Sequence, residues 1–449
     1  MRVRVPSPGV GLAVGWTLFM PAFVHAGQAV GSAAQSSAPA DAQAVTPPTL
    51  DVAGFQFRGF FVGSFDYNSR IQMVPEFAGG AQALADPGAT NFRFDKFGLA
   101  VYRAFAPWLS GSAAIEVERH SDRHSHGFNP TFGCPGTATC IERFGSEEPA
   151  TEVNLDRFNL TVTAPVGNGL ALSLGRVDLP FGIERHDEPL NLTATTSEVF
   201  QFGRPQRMTG FQASYVFNPR LDVTGWVVNR WESETTDTPF DDNNKSKSVG
   251  WRVGITPQPR QRLLNFGFGG FTGVERDEGE DRRWVIAVDA TAAPSPRFFV
   301  AAEIISGGES GGSLRRRGIP YEAPPVDDAD VRWWGLYLLP HYDLGEWFGL
   351  SFRYGYFDDR DGARTGIAQH LQSWSFVPVF HLSRAVPGLG DTGTVYARTR
   401  HAINWLDLKL EYRVNRSNQT VFSDEEPAVN VLEASRTGHQ IQVQLVMNF

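Results

Sequence analysis

His439-Gln440-Ile441-Gln442-Val443-Gln444-Leu445-Val446-Met447-Asn448-Phe449 is the stretch whose alternation decides the fold. Ile441, Val443, Leu445, Met447 and Phe449 share one parity. Gln440, Gln442, Gln444 and Asn448 share the other, with Val446 the one apolar intruder. A period of two sends these two sets to opposite faces of a β-strand. An apolar face running to a final aromatic residue suits a strand with lipid on one side and water on the other. Soluble sandwiches alternate too, so the reading holds only if the chain supplies a barrel's worth of partners.

It does. Phe92 to Phe105 and Leu109 to Arg119 flank Ala106-Pro107, and Val153 to Ala164 and Leu170 to Asp178 flank Pro165 to Gly169. Met208 to Phe217 and Leu221 to Trp231 meet at Asn218-Pro219-Arg220. Trp374 to Leu382 and Ile403 to Val414 form the last pair before the closing strand. These junctions carry the residues that tight turns prefer. Counted through, the chain holds about sixteen strands, each near the roughly 9–11 residues that cross a bilayer at a tilt. The connections alternate short and long, the long ones near 67–91, 120–152, 179–207, 232–246, 275–282, 307–330, 358–373 and 415–438. This rhythm predicts an all-β, transmembrane up-and-down antiparallel β-barrel over residues 51–449, with short periplasmic turns and long extracellular loops.

Strand faces assign the lumen. Leu406, Leu408, Leu410, Tyr412 and Val414 would meet lipid, while Asp407, Lys409, Glu411 and Arg413 point inward. Leu350, Phe352, Tyr354 and Tyr356 oppose Ser351, Arg353 and Gly355, and Phe158 and Leu160 oppose Arg157 and Asn159. A charge on the lipid face costs roughly 2–4 kcal/mol at mid-membrane, which fixes the face that looks inward. Arg93, Arg157 and Arg353 join the lumen wall on this logic. Parity slips at Asp95-Lys96, at Gly175-Arg176 and around Trp226 to Trp231, where bulges or misplaced strand ends are expected.

Ahead of the barrel, Arg2 and Arg4, the apolar run Val10 to Phe23 and Val24-His25-Ala26 make residues 1–26 an export signal. Removing its two arginines takes the formal charge from −9 to −11, which argues against nucleic acid as a partner. Residues 27–50, rich in Ala, Gln, Ser and Pro, read as a disordered periplasmic leader. The mean hydropathy of −0.24 fits a barrel, because half of each strand faces water. Cys134 and Cys140 sit in one Gly/Pro/Thr-rich loop, and export favours a disulfide between them.

From about Phe55 to Phe449 the chain resembles the OmpL-like β-barrel porin family. The residues that carry the likeness are Gly175-Arg176, Pro180-Phe181-Gly182 with Glu184, Arg204, Thr209-Gly210, Val227-Val228-Asn229 and Asp242-Asn243-Asn244-Lys245. The closing strand likewise resembles the terminal strands of bacterial outer-membrane barrels. The resemblance implies a water-filled channel in the bacterial outer membrane, with no cofactor, through which small hydrophilic solutes diffuse. By analogy with general porins, the third long loop folds into the lumen and sets the constriction. Its candidates are Glu184, Arg185, His186, Asp187, Glu188, Glu198, Arg204 and Arg207, whose acids would face wall arginines across a transverse field. Expected partners are membrane lipid and lipopolysaccharide, the barrel-assembly machinery through Phe449, and two further copies in a homotrimer. The alternatives are an anion-selective porin using its many arginines, a barrel enzyme, or an adhesin.

Other patterns point to little chemistry. Gly308-Glu309-Ser310-Gly311-Gly312 matches G-x-S-x-G but lacks the following helix that the nucleophile elbow needs. His120, Asp122, His124 and His126 read as a solvated loop rather than a metal site, and Asp241 to Asn244 lacks the spacing of a calcium loop.

Overall fold

The computed structural model describes residues 50–72, 90–120, 150–231, 245–257, 264–275, 281–310, 330–365, 368–385, 394–395, 402–403, 406–423 and 435–449. The export signal, the leader before Leu50, Cys134, Cys140, His124, His126 and Asp242 to Asn244 lie outside the described residues.

The barrel strands are β1 (Phe55–Asn68), β2 (Thr90–Ala106), β3 (Leu109–His120), β4 (Ala150–Ala164), β5 (Leu170–Asp178), β6 (Arg207–Asn218), β7 (Leu221–Val228) and β8 (Ser248–Ile255). They continue as β9 (Leu264–Val274), β10 (Arg282–Ser295), β11 (Phe298–Glu309), β12 (Val331–Asp343), β13 (Phe348–Asp359), β14 (Gln369–Phe380), β15 (Leu406–Ser417) and β16 (Thr437–Asn448). Each pairs antiparallel with the next, and β16 pairs with both β15 and β1, so sixteen strands close on themselves. Closure removes the free strand edges that a membrane span cannot leave facing lipid.

The seam is finished by the last residue. Gly59 and Phe449 exchange both backbone hydrogen bonds, at 2.7 and 2.9 Å. The Phe449 ring covers Gly59, where any Cβ would overlap it, and lies 6.0 Å from the Phe97 ring. Along β16, Gln440, Gln442 and Gln444 are buried in the barrel while Ile441 and Leu445 are exposed outside. Val446 faces inward and packs on Phe60 and Val62. Aromatic rings cluster at the ends of the outer face. Trp108, Phe217, Tyr342 and Trp347 are exposed near the short turns, and Trp251 and Trp284 toward the long loops. Such belts match the two membrane–water interfaces.

Several expected boundaries move. The final pair lies at Gln369–Phe380 and Leu406–Ser417 rather than 374–382 and 403–414, and β7 stops at Val228 rather than Trp231. The parity slips have three different origins. Asp95 is an extra residue in β2, since Val62 pairs with Lys96 and Gly63 with Phe94, so the expected bulge is present. Gly175 instead keeps its pairing register with β6 and adopts φ +140°, open to glycine alone because a Cβ would strike the Phe158 carbonyl. Trp226 involves no bulge: Thr224, Trp226 and Val228 simply face inward. A further bulge, unsuspected from the sequence, falls at Asp156, between the pairs Ala114–Arg157 and Ile115–Leu155. Asp156 and Arg157 are therefore both buried.

The inward faces differ around the barrel. On β15 and β16 they are charged or amidic, as expected. On β7 and β9 to β14 they carry an apolar cluster that includes Trp226, Phe271, Ile305, Trp333 and Phe357. A wall facing only water would gain nothing from such residues. Something must cover them.

Candidate functional site

The cover is the segment 179–206 between β5 and β6. Its apolar residues Leu179, Phe181, Leu192, Val199 and Phe202 belong to the same cluster. The Phe181 ring meets Trp226 edge-on at 5.4 Å, Phe202 lies 5.9 Å from Phe357, and Trp333 Nε1 donates to the Gly203 carbonyl at 3.1 Å. Complete burial of one such ring contributes about 1.5–3 kcal/mol, so these anchors hold the segment against the wall. The chain turns sharply at Gly182, at φ +56°, directly against Glu303; a Cβ there would overlap that carboxylate. Arg185 braces the turn, donating to the carbonyls of Phe181 and Gly182 at 3.2 and 3.0 Å. A short 3-10 turn (Glu188–Leu190) and a π turn (Val199–Gly203) complete the segment.

Depth follows from its contacts. Ser351 Oγ donates to the Leu192 carbonyl at 3.3 Å, and Lys409 Nζ donates to the carbonyls of Glu188 and Thr193 at 3.0 and 3.4 Å. Ser351 is the fourth residue of β13 counted from its short turn, and Lys409 is the fourth residue of β15 counted from the same end of the barrel. The segment therefore plunges past the middle of the barrel.

Charged pairs then tie it to two regions of wall. On one side Arg353 donates to Glu184 at 3.0 Å, to Thr193 Oγ1 at 2.8 Å, and to the Thr195 carbonyl. Glu411 accepts from the backbone N–H groups of Ala194 and Thr195 at 2.8 and 2.9 Å and from the Thr195 hydroxyl at 2.6 Å. Arg413 pairs with Glu198 at 2.6 Å, and Arg204 Nε lies 2.7 Å from Glu303. Ser197 donates to Glu184 through both its backbone and its hydroxyl. On the other side Arg157 bridges Asp187 and Asp178 at 2.9 and 3.0 Å. Arg207 reaches Asp178 and Asp187 at 2.6 and 3.1 Å and also pairs with Asp156. Lys96 lies 3.5 Å from Glu188 and 3.2 Å from Glu116. Burial pushes the Asp187 carboxyl up and Arg157 pulls it back toward its charged form, the balance standing at about 6.

Of the residues picked from sequence, Glu184, Asp187, Glu188 and Glu198 all meet wall cations, and Arg157 and Arg353 are two of their partners. Arg93 is not. It pairs with Asp66 at 3.0 Å and Asp95 at 3.4 Å on its own side of the wall. Asp407 is bound to His381 at 2.9 Å. His186 lies against Lys96 at 3.3 Å. Sequence reading missed Lys96, Asp156, Glu303 and Trp226. The first two carried a signal, since Asp95-Lys96 and Asp156-Arg157 are acid–base dipeptides that bulges turn inward together. Glu116, Asp156 and His186 bring ligand atoms within 4.8 Å of one another. The ammonium of Lys96 and the guanidinium of Arg207 already sit on those carboxylates, which disfavours a metal ion there. Ser310 stands just beyond β11, its hydroxyl accepting from the Arg282 N–H at 2.9 Å, and Gly311 and Gly312 lie outside the described residues.

A profile of the family described as "Putative beta-barrel porin-2, OmpL-like" matches residues 108–445. No curated protein sequence matches the chain. Among solved structures, OprB of Pseudomonas putida aligns with TM-score 0.53 and 11% identity, over 88% of this chain and 94% of its own. The outer membrane channel DcaP of Acinetobacter baumannii aligns with TM-score 0.52 and 10% identity, over 89% and 99%. An anion-selective porin from Comamonas acidovorans gives 0.51 and 11%, over 88% and 99%. At these identities the likeness is one of fold.

Proposed function

Since the chain belongs to the OmpL-like β-barrel porin-2 family and is an outer-membrane porin, we propose that segment 179–206 is the constriction of a passive channel for small hydrophilic solutes. The observation that carries this reading is the double anchoring of the segment, apolar and ionic on one side, ionic on the other, past mid-depth of the lumen. Carboxylates held at fixed distance from guanidinium groups orient water across the passage and favour polar solutes over apolar ones. The segment reaches wall groups on both sides, Lys96, Arg157 and Arg207 on one and Arg353, Glu411 and Arg413 on the other, so these charges border the passage beside it. A homotrimer in lipid and lipopolysaccharide, assembled through recognition of Phe449, completes the proposal.

A hydrolase reading has one observation in its favour. His341 Nδ1 lies 2.8 Å from Ser351 Oγ, and its Nε2 lies 3.2 Å from Asp343, on the adjacent strands β12 and β13. A nucleophile must reach its substrate, however. Ser351 is completely buried, and its hydroxyl is also bonded to the Leu192 carbonyl of the inserted segment. The trio serves to seat the segment.

The test is single-channel recording in planar bilayers with two variants. One replaces Glu184, Asp187, Glu188 and Glu198 by Gln or Asn. The other lacks residues 188–198. The first should raise anion relative to cation permeability, most clearly at low salt. The second should raise the step size. Wild-type behaviour from both would make the segment a bystander.

A further inference from the structure

We propose that this porin prefers cations, and that Glu188, Asp95 and Asp178 set the preference; the inference rests on segment 179–206 being the constriction. Arginine-rich composition suggests the opposite, so the question is which charges a passing ion meets. Around the segment, Arg157, Arg204, Arg207, Arg353 and Arg413 are at most 8% exposed at their side chains. Each is engaged by a carboxylate, as Arg353 is by Glu184 and Arg413 by Glu198. A guanidinium sealed in this way offers an anion neither contact nor an uncancelled field.

The accessible groups tell the other half. Where the segment meets β2 to β6, the side chains of Asp95, Asp178 and Glu188 are 19%, 20% and 26% exposed. The cation among them is Arg93, at 24%, and it is shared between Asp66 and Asp95. Lys96 is only 5% exposed and lies between Glu116 and Glu188. His186 is 30% exposed, but its Nε2 stands 3.3 Å from Lys96 Nζ. The same nitrogen lies 3.7 Å from the Glu116 carboxylate. Among these partly exposed groups three carboxylates therefore stand with one guanidinium and one imidazole, and the neighbouring β16 contributes the neutral Gln440, Gln442 and Gln444, the last donating to the Ala194 carbonyl of the segment at 3.5 Å. A waist lined by one sign of charge with low-dielectric walls concentrates counter-ions of the other sign.

The experiment is the reversal potential of the purified protein in a KCl gradient across a planar bilayer. Wild type should favour K⁺ over Cl⁻. Glu188→Gln with Asp95→Asn should move the reversal potential toward zero, and Arg93→Gln should move it further toward K⁺. Heat-modifiable migration in gels verifies that each variant has closed its barrel. A Cl⁻ preference in wild type would overturn the inference, as would an unchanged reversal potential in both variants with conductance steps intact. Absence of any step would instead remove the channel reading, and the inference with it.

Discussion

Gly182→Ala is the smallest change that should free the inserted segment while leaving the barrel whole. The turn there holds φ +56°, a conformation that costs a residue with a Cβ about 1–2 kcal/mol. The new methyl would also overlap the Glu303 carboxylate, which is completely buried and faces Arg204 Nε at 2.7 Å. Pushing Glu303 off that partner leaves a buried charge uncompensated, a loss of about 3–5 kcal/mol. Together these come to about 4–7 kcal/mol against the anchored state, at 1.4 kcal/mol for each tenfold change in population. The sixteen strand pairings do not involve Gly182, so the chain relaxes by lifting the segment rather than by opening the barrel. Heat-modifiable migration should stay normal, while step size, current noise and the size limit for uncharged polymers all increase. Gly345→Ala serves as the control, because a Cβ at Gly345 meets nothing within 4 Å. A Gly182→Ala protein with wild-type steps and size limit would refute the claim that this turn holds the constriction.

Gly59→Val should strike closure instead. It displaces the Phe449 ring from its seat beside the two backbone bonds that finish the seam, so the heat-modifiable fraction should fall although Phe449 is still present. Asp187, pushed up to about 6 by burial, loses its charge as pH falls through that value, where ordinary carboxylates near 4 remain ionised. Cation preference should therefore decline between about pH 7.5 and pH 5, helped by protonation of nearby His186. Asp187→Asn should show a lower preference at pH 7.5 and a smaller response, and an undiminished response would absolve Asp187.

What the sequence shows follows from which physical constraints leave a periodic trace. Lipid does: Leu406, Leu408, Leu410 and Tyr412 could not be exchanged with Asp407, Lys409, Glu411 and Arg413 without placing charge in hydrocarbon, and the structure has them on the expected sides. Turn chemistry does too, so the short–long rhythm sets segment 179–206 apart as a long connection. Bulges leave a defect instead of a period, and two of them turned Asp95-Lys96 and Asp156-Arg157 into the lumen, only one of which could be anticipated. The apolar inner wall leaves no trace within a strand, because an inward Trp226 and an outward one read alike. Its trace lies elsewhere in the chain. A loop bathed in water has no use for Leu179, Phe181, Val199, Phe200 and Phe202 together, just as a water-filled barrel has no use for inward Trp226, Trp333 and Phe357. Each set is costly in water and harmless against the other, so the two anomalies explain one another. Charges could have been satisfied in several registers along the wall, and the fit of these rings selects one depth for the segment, which the ion pairs then hold.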